Sequence, residues 1–434
     1  RINPSQKRQM MNNYADLQYF ANITVGGQEI TGIVDTGSFE LVVFENHCSG
    51  CGKAANYDKL KSDKHSKGIL SRGLFYGSGD IYAAESFDAV SIGPFEAVNQ
   101  SFWEAYEAMM PVLEQARFQS IIGVGPPEMP SAEAWKQTVH SVEDVTNTLS
   151  RGSSIESPQL NTVSRDLQFS AEISRTPTML RNFGVEHFSL CLLPQPGANG
   201  YFVWNDTNPL EQPQKFKRVR IMGKHTWTVN MTNVRVVPRV AVGDGPRVIG
   251  CETSCGAIID SGTSLLMMPA SVVEALQTTL NGWNINCTSL QGLPDLVFVL
   301  DGHTFTLPPD SYLAEVSHVP TYMTAFARLR RVTPLNSDCQ LSVMESYSST
   351  NWGPLWILGM PFFRRYYTTF SIGKSHEDRA MLIAPSGPDC EPAEERANLR
   401  RQVHQDVYRR RLDLSRMYLS PLVKKALKNE HMDL

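Results

Sequence analysis

At 434 residues, with 41% hydrophobic and 19% charged residues, the chain suits two or three domains, or one large bilobal body with a substantial core. A net charge of −4 excludes the broadly basic surface that binding to a phosphate backbone needs. No apolar run reaches the ~18 residues of a membrane-spanning helix. The chain starts at Arg1 without a charged-then-apolar leader, so the expectation is a processed product whose signal peptide or pro-segment lies outside it.

In chain order, "QYFANITV", "EITGIVD" and "ELVVF" alternate β-branched or aromatic residues with polar ones and predict strands. Residues 127 to 166 are polar and hydroxyl-rich with little strand pattern, and predict a surface insertion. Strands resume at "KRVRIMG", "HTWTVNMTNVRVV", "DLVFVLDGHTFTL" and "YYTTFSIG". Helical patterns are few: "SVVEALQTTL" after Pro269, a possible turn at "TPTMLRNFG", and the tail. The fold class expected is all-β. From 391 to 434 the composition changes, with ten basic against seven acidic residues, so the tail carries +3 and the rest −7. Leu399, Val403, Val407, Leu414 and Tyr418 approximate a helical stripe there. A charged helical tail that docks on the body or on a partner is one expectation, and a solvated helix is the other.

Two stretches carry chemistry. "GIVDTGSFELVVF" (32–44) and "GAIIDSGTSLLMM" (256–268) each run an apolar strand into Asp, a hydroxyl residue, Gly and another hydroxyl residue. One such triplet is an ordinary turn, since Asp and Gly favour turns. Two copies in matching surroundings point elsewhere. A carboxylate at the end of a buried strand is rigidly placed, and the glycine lets other backbone approach it closely. Hydroxyls at the second and fourth positions would hold the carboxylates. Facing loops would bring Asp35 and Asp260 within a few ångströms, where like charges cannot both ionise and one proton is shared. Such a pair offers a base and an acid together, enough to activate water and protonate a leaving amine. The pair must meet in a cleft that solvent can reach.

With these loops in place, the sequence resembles the pepsin-like aspartic endopeptidases from about residue 12 to 386. "NYADLQYFANITVGG" resembles the family's opening strand, and "LFYGSGDIYA" (74–83) its flap hairpin. "FQSIIGVG" (118–125) and "WILGMPFFRRYYTTF" (356–370) resemble the segments behind each aspartate. "HFSLCLL" resembles the strand entering the inter-lobe region, and "AMLIAPS" the last strand. The resemblance implies a bilobal double β-barrel or sandwich with a central cleft for an extended polypeptide. The N-terminal lobe would span 12–195, with the insertion at 127–166, and the C-terminal lobe 196–390, followed by the tail 391–434. Asp35 and Asp260 would be catalytic, Gly37, Ser38, Gly262 and Thr263 would orient them, and Tyr76, Gly77 and Ser78 would bond the substrate backbone. The resemblance calls for no cofactor, no metal and no nucleic-acid partner, and it implies a monomer derived from a zymogen.

The family pattern also suggests bridges Cys251–Cys255 and Cys287–Cys339. Cys48–Cys51 sits where a small-loop bridge occurs, although its spacing is tight and neighbouring His47 leaves a metal or redox site open. Cys191 and Cys390 remain as a possible pair, with the connectivity open in sequence. Five sequons, at Asn22, Asn99, Asn205, Asn230 and Asn286, together with eight cysteines favour the secretory route, either secreted or in a lysosome- or vacuole-like compartment. Departures from the pattern are Val42 where many relatives carry a tryptophan beside the flap tyrosine, Gln119 in place of Asp, and Met360-Pro361 for an acidic-apolar pair. The last two lie outside the dyad, but the altered flap neighbour Val42 and the added tail motivate an alternative to the active endopeptidase: a catalytically silent, protease-shaped binding or inhibitory protein.

Overall fold

The computed structural model describes residues 7–239, 245–281, 287, 289–320, 339–394 and 406–434. Alternating apolar residues build two large sheets, one of thirteen strands and one of ten. In the first, strand Gln28–Asp35 pairs antiparallel with Gln18–Val25 and parallel with Ser120–Gly123, bringing Asp35 opposite Gly123. In the second, Cys255–Ile259 runs parallel to Gly353–Leu358, with Ile259 opposite Leu358. Each aspartate thus leaves a strand buried on both faces. That is why "GIVD" and "GAIID" read as near-continuous apolar runs. Ile33, Ile258, Ile259, Ile357 and Leu358 are all fully buried, each contributing about 1.5–3 kcal/mol of apolar transfer.

The larger sheet also joins the two halves of the chain. Its middle strands, His187–Leu192 and Gly200–Trp204, pair on one side with Arg8–Tyr14 and on the other with Tyr366–Ser371, so early and late segments lie side by side. Phe188, Phe202, Phe370 and Trp227 stack above this junction, with ring centroids 4.8–6.1 Å apart where they pair. Cys191–Cys390 bridges the same region. Cys48–Cys51, Cys251–Cys255 and Cys287–Cys339 are also closed. With both sulfurs of Cys48 and Cys51 in one disulfide, neither is a thiolate available to a metal.

Two expectations need correcting. The polar stretch after residue 127, where no helix was expected, forms helices Met129–Ser150 and Ser157–Arg175, packed together and running nine residues past 166. The contact between them is made by small and polar groups. Thr138 Oγ1 donates to Asp166 O (3.0 Å) and Gln137 Nε2 to Asp166 Oδ1 (3.2 Å), while the apolar residues at helical spacing, Trp135, Val139, Val142 and Leu149 on one helix and Leu160 and Leu167 on the other, are exposed. The tail is not a helix along its stripe either. Strand Arg411–Asp413, the short 3-10 turn Leu414–Arg416, the six-residue helix Pro421–Ala426 and strand His431–Met432 follow one another, while Leu399 and Val403 lie outside the described residues. Leu412, Leu414, Met417, Leu419, Leu422, Val423 and Ala426 pack on Ile258, Leu265, Met267 and Ile357. Burial against the body, not helical periodicity, decides their conformation.

The buried Arg365–Asp310 pair follows the segment that supports Asp260. Arg365 Nη2 donates to both Asp310 oxygens at 2.7 Å, with 6% and 2% of the two side chains exposed. Arg365→Met is expected to leave a buried carboxylate without its cation and to lower stability by about 3–5 kcal/mol in urea unfolding. A change under ~1 kcal/mol would show that the pair is dispensable.

Candidate active site

The Asp35 and Asp260 loops meet face to face, and the hydroxyls that follow each aspartate lock them together. Thr36 N donates to Ser261 Oγ (3.1 Å) and Ser261 N to Thr36 Oγ1 (2.9 Å). Thr36 Oγ1 donates to Ile259 O (3.1 Å), and Ser261 Oγ to Val34 O (2.8 Å). The second-position hydroxyls therefore do not hold their own carboxylates. They hold the opposite loop.

The third-position glycines do more than turn the chain. Gly37 N donates to Asp35 Oδ1 and Gly262 N to Asp260 Oδ1, both at 2.8 Å. A Cβ on Gly262 would lie 2.0 Å from Asp35 Oδ1, and one on Gly37 2.6 Å from Asp260 Oδ1. No residue with a side chain fits there. At the fourth position Thr263 Oγ1 donates to Asp260 Oδ2 (2.6 Å). Ser38 lies near enough to Asp35 to favour its ionised form, but its buried Oγ forms no hydrogen bond of good geometry.

The two carboxyls face each other closely enough for the charge of one to oppose ionisation of the other. Burial, then the charge of Asp260, pushes Asp35 up to about 8, against smaller opposing effects of Ser38, Tyr418 and Gly37. Burial raises Asp260 too, opposed by its hydrogen bonds. The pair titrates as a unit and retains a proton at neutral pH.

Neither carboxyl reaches solvent: both are 0% exposed. This departs from the expected open cleft, and the cover is the chain's own tail. Tyr418 OH donates to Asp35 Oδ2 (2.8 Å), and Ser420 Oγ to Asp260 Oδ2 (2.5 Å). The flap hairpin closes over the same segment. Gly77 N donates to Ser420 O (3.0 Å), Ser78 N to Leu419 O (3.3 Å), and Leu419 N to Ser78 Oγ (2.7 Å). Tyr76 is buried with its ring centroid 6.1 Å from that of Tyr418. Ser264, which the sequence reading passed over, bonds Leu17 O (2.6 Å) and accepts from Tyr418 N (3.2 Å). Beyond the tail a cleft of about 1090 Å³ stays open between the flap strand, the insertion helices and the tail helix, lined by Phe75, Glu133, His140, Phe169 and Leu422 among others.

A family profile described as eukaryotic aspartyl protease matches residues 18–161 and 182–380, most of the chain. The chain belongs to the eukaryotic aspartyl protease family. Similar relatives are renin of Rattus norvegicus, 26% identical over 83% of this chain and 78% of its own length, and cathepsin D of Gallus gallus, 27% identical over 83% and 80%. Pepsin A of Gallus gallus is 26% identical over 85% of each chain. This membership makes the protein an aspartic-type endopeptidase, a hydrolase. The break in the protease match, 162–181, covers most of the second insertion helix, and the match stops before the tail. Of the departures from the family pattern, Gln119 Oε1 accepts from Thr31 N (3.0 Å) and Val42 is fully buried. Among the sequons, Asn22 and Asn99 are exposed, Asn205 and Asn230 are half-buried, and Asn286 lies outside the described residues.

Tyr418, Ser420, Thr36 and Ser261 were not singled out in sequence for these contacts. The symmetry of the two Asp loops is a signal that could have found Thr36 and Ser261. For Tyr418 and Ser420 there is none short of the fold.

A carboxyl protonated in the native chain but ionised in the unfolded one stabilises the fold fully below its ordinary value of 3.8. That contribution is lost as pH rises through about 8. The melting temperature of the unmodified chain should therefore drop relative to that of Asp35→Asn between about pH 4 and 8. Parallel melting curves across that range would refute a raised Asp35.

Proposed function

We propose that Asp35 and Asp260 hydrolyse peptide bonds of extended polypeptides, most effectively at acid pH, by activating a water held between them. The observation that carries this reading is the shared pocket: two buried carboxyls facing each other across interlocked loops, each fixed by the N–H of its own loop glycine. One carboxylate takes a proton from the water as its oxygen bonds to the peptide carbon. The protonated partner donates towards the carbonyl oxygen. Collapse of the tetrahedral intermediate breaks the C–N bond, with a proton passed to the departing amine. The Gly77 and Ser78 N–H groups, which bond the backbone of the tail, would bond substrate backbone in the same way and keep water from the cleft. Four disulfides and the sequons support a secretory-route compartment.

The covered dyad favours a second reading, a protease-shaped protein that is silent. The two separate on a protein with residues 406–434 detached, assayed on a peptide library at acid pH. Cleavage blocked by a statine-type inhibitor, and reduced on the order of a thousandfold by Asp35→Asn or Asp260→Asn, supports hydrolysis. An unchanged rate in either variant removes the assignment.

A further inference from the structure

The tail does more than dock. It enters the cleft as a peptide would and presents side-chain hydroxyls, not a peptide carbonyl, to both carboxyls. Tyr418 OH donates to Asp35 Oδ2 and Ser420 Oγ to Asp260 Oδ2, the oxygens that the two glycine N–H groups do not use, the second of them shared with Thr263. Burial, then the charge of Asp35, holds the Tyr418 phenol well above its usual range, so it remains a donor. Leu419 between them forms a bridge with Thr263 on one side, and bonds the flap at Ser78 on the other. The proposed attacking water has its seat taken by two hydroxyls of the chain itself.

Charge and topology fit a segment that can leave as well as enter. The tail carries +3 against −7 for the remainder, and its cations meet body carboxylates. Arg410 pairs with Asp16 (3.1 Å), Arg409 and Arg411 with Glu315, Lys425 with Glu133 (3.0 Å), and Lys424 with Asp80. Burial would raise Glu133, but Lys425 and Arg72 outweigh it and hold the carboxyl below its usual range. The two tail strands add in parallel to existing strands, Arg411–Asp413 beside Leu313–His318 and His431–Met432 beside Ser349–Thr350. Both are edge additions: Arg411–Asp413 is the outer strand of its three-stranded sheet, and His431–Met432 pairs only with Ser349–Thr350.

We propose that residues 406–434 are a tethered peptide inhibitor of this chain's own cleft, with Tyr418-Leu419-Ser420 as its active-site segment. This rests on the endopeptidase reading for its consequence, though not for the occupancy itself. The inhibitor is competitive by construction, since it uses the same flap donors and carboxyl oxygens as a substrate. Hydrolysis by the intact chain then requires the tail to move.

The test uses the full chain and a double variant, Tyr418→Phe with Ser420→Ala, which keeps the apolar packing and removes only the hydroxyls on the carboxyls. Both proteins are titrated with a fluorescent statine-type peptide and assayed on a quenched-fluorescence peptide library, with melting curves to establish folding. Loss of a hydrogen bond to a charged group is worth about tenfold or more in binding. The double variant should therefore bind the statine peptide at least ~10-fold more tightly than the unmodified chain. A synthetic 406–434 peptide should compete with the statine peptide on a chain cut between residues 394 and 406 and stripped of its tail. This second measurement stands if the double variant fails to fold. Equal statine affinity in both full chains, or no competition by the synthetic peptide, overturns the proposal. If statine binding responds as expected but no form hydrolyses any peptide, the inhibitor stands and the endopeptidase mechanism falls. If all forms hydrolyse equally fast, the mechanism stands and the inhibitor falls.

Discussion

Two carboxyl groups buried against each other at the junction of two loops are the constraint on which the rest of this structure depends. Placing them there is costly twice over, through lost hydration and through mutual repulsion. The repulsion is relieved by a retained proton. Hydration is replaced by fixed donors: the amides of Gly37 and Gly262 and the hydroxyl of Thr263. None of these donors would be in position without the reciprocal Thr36–Ser261 lock, which ties two parts of the chain 225 residues apart.

That lock explains why the supporting strands are so apolar. A misplacement of either loop by about an ångström would break four buried hydrogen bonds at once, so both loops are backed by fully buried parallel strand pairs. The backing is repeated: Asp260 N bonds Leu358 O (3.0 Å) in one half, and Val124 N bonds Asp35 O (2.9 Å) in the other. Two halves with different sequences reach the same local solution because the same electrostatic problem is posed to each.

The tail meets that problem from the solvent side. With it seated, the outer carboxyl oxygens find donors in Tyr418 and Ser420, and the flap amides find acceptors in Leu419 and Ser420. Two carboxyl oxygens and two flap amides are thus satisfied by residues of the same chain. A cleft built to bind extended backbone does not distinguish, by hydrogen bonds alone, a substrate from a tethered segment of similar shape. What differs is which group faces the dyad, a hydroxyl or a scissile carbonyl.

The sequence by itself determined the strands around both aspartates, the flap hairpin, and the pairing of Asp35 with Asp260 as candidates, because each is written in local period, turn chemistry and a duplicated motif. "QYFANITV" coincides with strand Gln18–Val25, and "SVVEALQTTL" falls within helix Ala270–Leu280. The insertion helices were missed although Trp135, Val139, Val142 and Leu149, and then Leu160 and Leu167, recur at helical spacing; that stripe is exposed, and the buried seam is the polar, small-residue one of Thr138, Asp166 and Ser170. Only the tertiary structure decided where the tail goes. Its approximate helical stripe pointed to a helix, whereas its conformation is set by a groove assembled from segments far away in the chain. Long-range burial and hydrogen bonding of that kind leave no periodic mark in the segment that receives them.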